Sequence, residues 1–310
     1  MRPAVHLEEE VGTRLGFRAV LLRCLPIAGV LLVAAAQPRT PEAALAELMN
    51  ADRTFGFLGE VTGAMAPEVT VPMPGRGLVE GLVAVRAEWM RDTLDGRASV
   101  KWSPIGGGLS ADGLHGFTYG YSTARRPDGT AVAGKYLAYW VKDARGWRMM
   151  AYRRIRRAAG AVDSTARPTL RPAALMPPVT DAAVVERHRA SLLFAERAFA
   201  RESQIIGLQA GFATFGDARA INLGGPATAG FTVGNTAIAA LVSDGSTEAR
   251  SPVDWWPERA IVASSGDLGI TFGYITPNGA APAGQAKPRI PFFTIWHRAS
   301  PDAPWRYVAE

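Results

Sequence analysis

The sequence predicts an α+β fold built twice over, and three observations predict it. A nonapeptide, Gly113-Leu-His-Gly-Phe-Thr-Tyr-Gly-Tyr121, recurs as Gly266-Asp-Leu-Gly-Ile-Thr-Phe-Gly-Tyr274. Each copy is preceded by a long amphipathic helix and a short helix. Each copy also lies in a run of alternating apolar and polar residues broken by turn signals, the pattern of an antiparallel meander. In the repeat, Gly113, Gly116, Thr118, Gly120 and Tyr121 reappear as Gly266, Gly269, Thr271, Gly273 and Tyr274.

The first copy spans 40–157. Thr40-Pro41-Glu42 supplies a capping hydroxyl, a proline at the first helical position and an acid in the first turn, so a helix runs from here to about 62. Leu45, Leu48, Phe55 and Leu58 form its apolar stripe, and Asp52 falls on that stripe. An extended piece at 67–74 is stopped by Pro72 and Pro74. A short helix over 78–91 follows, then strands at 99–102, 114–124, 134–142 and 147–155. Gly106-Gly-Gly108 reads as a turn. Residues 158–179, with Pro172, Pro177 and Pro178, read as a partly extended linker.

The second copy spans 180–310. Leu192, Glu196 and Phe199 repeat the spacing of Leu48, Asp52 and Phe55 on a helix running to about 206. Extended pieces near 218–223 and 230–233, a short helix at 235–242, and strands at 254–256, 268–276, 290–298 and 304–309 complete it. Trp296 and Trp305-Arg306 echo Trp140 and Trp147-Arg148.

The N-terminus carries the clearest targeting pattern. Arg14 and Arg18 precede an apolar run, Cys24 to Ala36, that ends in small residues. This is the order of a secretory signal, and it is short for a membrane span. Residues 1–36 are therefore expected to be a signal peptide, and the chain to be periplasmic or secreted without stable membrane insertion after signal removal. Glu8-Glu9-Glu10 and Arg23 depart from the pattern, leaving an uncleaved anchor or a buried helix as alternatives. Cys24 is the only cysteine, so a mature chain would have no disulfide, thiol nucleophile or cysteine metal site.

The Trp-x-Pro strands (Trp102, Trp255), the Gly-Asp-Leu-Gly turn, Gly134-Lys-Tyr-Leu137 with Trp140, and the terminal Gly-Trp-Arg strand resemble the nuclear transport factor 2-like superfamily, also called SnoaL-like or ketosteroid isomerase-like. Residues 134–140 and 266–274 carry the resemblance best. It implies two cone-shaped domains, each a curved antiparallel sheet wrapped around the long N-terminal helix, with an aromatic-lined pocket at the open end. The same cone hosts isomerases, cyclases, dehydratases, hydrolases and binders, so fold alone does not choose among them.

Asp52 and Glu196 are the candidate catalytic residues, since an acid facing a core acquires a raised pKa suited to proton transfer. An acid simply paired at the edge of the stripe is the plainer reading. Trp89, Trp102, Tyr119, Tyr136, Trp140, Trp255, Tyr274 and Trp296 are candidate ligand-binding residues, with a place in the core as the plainer reading of any single one. His115 and His297 lack counterparts in the other copy. No metal-ligand spacing, nucleophile elbow or phosphate loop is present, so no metal and no cofactor is expected. The ketosteroid isomerases' Tyr and two Asp, and the hydrolases' Asp-Arg-Asp, do not assemble in either copy. Arg153-Arg-Ile-Arg-Arg157 suits phosphate contact, but reads better as the solvated end of a strand, and no nucleic-acid partner is expected.

The leading expectation is a binding protein for a small apolar or aromatic molecule in one or both cones. An isomerase, cyclase or dehydratase using a pocket carboxylate as base is the alternative, and a structural or partner-binding module the third. Strands apolar on both faces (Leu137, Tyr139 and Val141 opposite Tyr136, Ala138 and Trp140) further predict that the copies pack sheet against sheet, an intramolecular pseudo-dimer in a monomeric chain.

Overall fold

The computed structural model describes residues 39–91, 98–165, 170–243, 250–281 and 284–310; the expected signal peptide and Cys24 lie outside them. In the first copy α1 (Pro41–Leu58) starts where its cap predicts, with the Thr40 hydroxyl accepting from the Ala43 N–H at 3.2 Å. It stops at Gly59, whose positive φ of 75° permits the left-handed turn that ends a helix. Then come α2 (Val61–Ala64), β1 (Met65–Met73), β2 (Gly77–Glu80), α3 (Leu82–Arg91), β3 (Ser99–Leu109), β4 (His115–Arg125), β5 (Ala131–Asp143) and β6 (Gly146–Arg156).

The second copy repeats that order: α4 (Ala182–Ile206), α5 (Leu208–Phe215), β7 (Gly216–Asn222), β8 (Thr232–Val233), α6 (Asn235–Val242), β9 (Val253–Val262), β10 (Leu268–Pro277), β11 (Ile290–His297) and β12 (Arg306–Ala309). The sheets run β2-β1-β6-β5-β4-β3 and β8-β7-β12-β11-β10-β9.

Each sheet is an antiparallel meander closed by one parallel pair. β1 pairs parallel with β6, and β7 parallel with β12. The chain crosses to the far edge at β3, and three reversals bring β6 back beside β1 in the same direction. Strand periodicity carries no information about which strands become neighbours. Two local readings change. Residues 78–80 pair with β1 rather than opening the short helix. Gly106–Gly108 lie inside β3, because side chains of β4 lie across them; a Cβ at Gly106 would strike the Tyr119 ring, and one at Gly108 the Phe117 ring.

The inner face of each sheet packs on its long helix. The outer faces pack on each other, through a core that includes Phe117, Tyr119, Leu137 and Tyr139 from one copy and Ile270, Phe272, Phe293 and Ile295 from the other. Polar ties follow the pseudo-symmetry. Asp112 accepts from the Ser264 hydroxyl at 2.9 Å, and Asp267 accepts from the Ala111 N–H at 2.9 Å. Buried Lys135 donates to Thr228 Oγ1 at 2.7 Å and to the carbonyls of Thr228 and Gly230. The interdomain segment is laid along β3, with Leu170 bonded to the backbone of Gly107 and Leu109.

Tyr139 is fully buried at this junction, with its hydroxyl 2.9 Å from His115 Nδ1. Tyr139→Asp would place a charge there without a partner. We expect a loss of more than about 3 kcal/mol in chemical denaturation, with new binding of an apolar dye. Wild-type stability in this variant would show that the two faces do not form one core.

Candidate functional site

Each long helix delivers one acid to the inner face of its sheet. Asp52 is fully buried, taking the Trp102 indole N–H on Oδ1 at 2.5 Å and the Tyr136 hydroxyl on Oδ2 at 2.7 Å. Beside it, Trp140 donates to Thr118 Oγ1 at 2.8 Å. Glu196, equally buried, takes the Trp255 and Trp296 indoles, each at 2.8 Å, and the Thr271 hydroxyl at 2.6 Å.

The two networks are one design with one exchange. Register pairs Gly120 with Tyr136 and Gly273 with Phe292, so Phe292 stands where Tyr136 stands and brings no hydroxyl. Glutamate's extra methylene reaches deeper, to Thr271 and Trp296, and recovers donors there. Burial pushes the Asp52 carboxyl up to about 6 against the pull of Tyr136 and Trp102, and pushes Glu196 up as well. Indole and hydroxyl donors occupy both oxygens of each acid.

A cavity of about 590 Å³ opens at the mouth of the first cone. Its walls come from the α1–α2 junction (Gly59, Val61), the end of β1 (Val71, Met73), α3 (Glu88, Trp89) and β6 (Tyr152, Arg154). Trp89 meets Tyr152 edge-on, with centroids 6.1 Å apart, and Tyr152 stacks on Tyr136 at 6.3 Å. Asp52 therefore lies behind the wall, two rings from the cavity, and does not line it. Burial pushes the Tyr152 phenol up to about 12. Tyr152 Oη, Arg154 Nη1 and Glu88 Oε2 are buried atoms with no hydrogen-bond partner. Glu88 does pair electrostatically with Arg91 at 2.5 Å and Arg76 at 3.4 Å.

The described interior of the second cone holds an aromatic cluster around Phe199. Its α5 is eight residues long where α2 has four, and it carries Phe212 and Phe215 inward. The Phe199 ring packs against Phe212, Phe215, Trp255 and Tyr307 at 4.9, 5.1, 4.8 and 5.8 Å between centroids.

No protein-family model and no curated protein matches the chain. Solved structures similar to it include a ketosteroid isomerase-like protein from Erwinia carotovora atroseptica (16% identity, 37% of this chain and 97% of that one, TM-score 0.29). Others are a nuclear transport factor 2-like protein of unknown function from Shewanella oneidensis (10%, 37% and 98%, 0.28) and a nuclear transport factor 2-like superfamily protein from Salmonella enterica serovar Typhimurium (19%, 38% and 89%, 0.25).

Of the eight candidate aromatics, Trp89 lines the cavity. Trp102, Tyr136 and Trp140 pack inside the first cone, and Trp255 and Trp296 inside the second. Tyr119 lies on the opposite face, in the core between the sheets, and the Tyr274 hydroxyl accepts the Leu78 N–H across that junction at 3.0 Å. Alternation along a strand separates two faces but does not say which one is inward. The arginine run is not simply solvated. Arg154 enters the cavity wall and Arg157 lies 5.5 Å over the Tyr121 ring, because β6 borders both the cone and the junction. Sequence reasoning missed Glu88, Tyr152 and Arg154; the alternation of Tyr152 and Arg154 on one strand face was the available signal. Among the described residues no group of three or more His, Cys, Asp or Glu is placed to hold a metal ion, and no helix is long and apolar enough to cross a membrane.

With Asp52 raised, folding takes up a proton between the unfolded value near 4 and about 6. The stability this lends is complete below roughly pH 4 and is lost as pH rises through about 6. Asp52→Asn removes the dependence. Its stability relative to wild type should rise by roughly 2–3 kcal/mol between pH 4 and pH 7, read from melting curves. Glu196→Gln should be the costlier amide, by about 1–3 kcal/mol. Its NH₂ confronts indole donors that cannot reverse, whereas the Tyr136 hydroxyl can. A pH-independent difference for Asp52→Asn would mean that the acid is not desolvated.

Proposed function

We propose that the chain is a binding protein and that its first cone alone holds the ligand, a small molecule with a flat apolar body. The observation that carries this is the pairing of an open cavity of about 590 Å³, walled by Trp89 and Tyr152, with a second cone whose interior is packed by Phe199, Phe212 and Phe215. The volume is in the usual range for small-molecule sites, and the wall sets the aromatic faces of Trp89 and Tyr152 beside the charged groups Glu88, Arg91 and Arg154. The second cone then serves as the partner that covers the outer face of the first sheet.

Thermal-shift and native mass-spectrometry screens against steroids, polyketides and aromatic acids test this. We expect one ligand per chain, with binding abolished by Thr62→Trp, which fills the cavity from α2. Two ligands per chain, or binding indifferent to Thr62→Trp, would refute the assignment to the first cone.

A catalytic reading draws on the Asp52–Tyr136–Tyr152 series, which leads from a raised acid to the cavity wall. It requires Asp52→Asn to abolish a turnover that Thr62→Trp also abolishes. Binding is the stronger reading, because both Asp52 oxygens are engaged and the acid is fully buried.

Export and a monomeric state belong to the same proposal. The tagged full-length chain should appear outside the cytoplasm, shortened near residue 36, and should sediment as a monomer. Retention of the intact chain in the cytoplasm would remove the export element and leave the binding element standing.

A further inference from the structure

Resting on the reading of the first cone as the ligand-binding copy, we infer that its ligand carries a carboxylate, held by Arg154 and Tyr152. Alternation along β6 puts these two residues on the inner face, where both help wall the cavity. Arg154 Nη1 and Tyr152 Oη are each buried without a hydrogen-bond partner. Each is a donor, and a guanidinium nitrogen can only donate. Buried donors are normally paired, and a buried charged one without an acceptor is costly, so the pair is placed for an acceptor that arrives with the ligand. Two donors on one strand face suit the two oxygens of one carboxylate, the geometry that arginine recognises best.

The surrounding charges agree. Among the described residues Glu88 is the acid of the cavity wall, and it is already held by Arg91 and Arg76, so those three groups leave a net positive charge. Arg153, which also borders the cavity, feels the charge of Glu310. Glu88 Oε2, lacking a hydrogen bond, is an acceptor suited to a hydroxyl elsewhere on the ligand. Trp89, edge-on to Tyr152, with Val71 and Met73, forms the wall for the apolar body. The second cone carries an acid where the first carries the Tyr152 phenol. Register aligns Ala151 with Ala309, so Glu310 stands where Tyr152 stands.

The test is fluorescence titration of the full chain with 1-pyrenebutyrate and with its neutral amide, probes that share a flat body and differ in the anion. The acid should bind wild type about tenfold tighter or more than the amide, the scale of a charge-assisted pair. Arg154→Gln should bring the two within about twofold of each other by weakening the acid alone. Unchanged amide affinity in that variant shows that the cavity is intact, and Arg154→Lys should keep part of the preference. Equal binding of acid and amide by wild type overturns the carboxylate assignment while leaving the pocket reading in place. A preference that survives in Arg154→Gln overturns the assignment to Arg154. Binding of neither probe overturns the inference together with the pocket reading beneath it.

Discussion

Each six-stranded sheet is apolar on both faces, and that constraint governs the rest of the structure. One face is satisfied by the copy's own long helix. The other, carrying Leu137 and Tyr139 in one copy and Phe293 and Ile295 in the other, would meet water if the copies were apart. A single chain solves this by supplying the second sheet itself. The cost in chain entropy is small, because lengthening a connection adds only slowly to loop closure. The connection is also partly bonded, with Leu170 laid against β3.

Covering one another's outer faces frees the copies to diverge inside. Both keep an acid on the helix stripe, tied to sheet indoles, because that bond fixes the helix against the curved inner face. They differ in how the acid is satisfied, Asp52 with a phenol and Glu196 with a threonine and a second indole. They differ more at the mouth. A four-residue α2 leaves the first cone open, while an eight-residue α5 brings Phe212 and Phe215 into the second. The ring packing around Phe199 gives the second copy an interior core of its own.

Much of this was legible in the residues. The repeat located both copies, and helical spacing placed Asp52 and Glu196 on their buried stripes, because a period of 3.6 is written directly into the chain. Gly207, at the break between α4 and α5, did not reveal that the following helix would fill a cone. The parallel pairing of β1 with β6 was hidden, since neighbours in a sheet are chosen by the path of the whole chain. Tyr119 and Tyr136 look alike in sequence, yet one lies between the sheets and the other inside a cone. Which face is inward depends on curvature, which no local pattern records. Arg154 was masked by its neighbours, because a run of arginines resembles a solvated strand end until the strand's position beside α3 is known.

An open cavity lined by unpaired polar atoms forgoes packing that a filled core would have. In the first cone that loss falls at the mouth, away from the two layers that hold the copy together. Asp52 and its indole partner lie deeper, behind Tyr136, and the junction with the second copy lies on the other face of the sheet. Opening the mouth therefore does not loosen the helix–sheet contact or the sheet–sheet contact. In the second cone the same space is taken by Phe212 and Phe215, and the copy that gives up its cavity gains interior packing. A duplicated cone can in this way divide two demands that conflict within one copy, a packed core in the second and a pre-formed vacancy in the first.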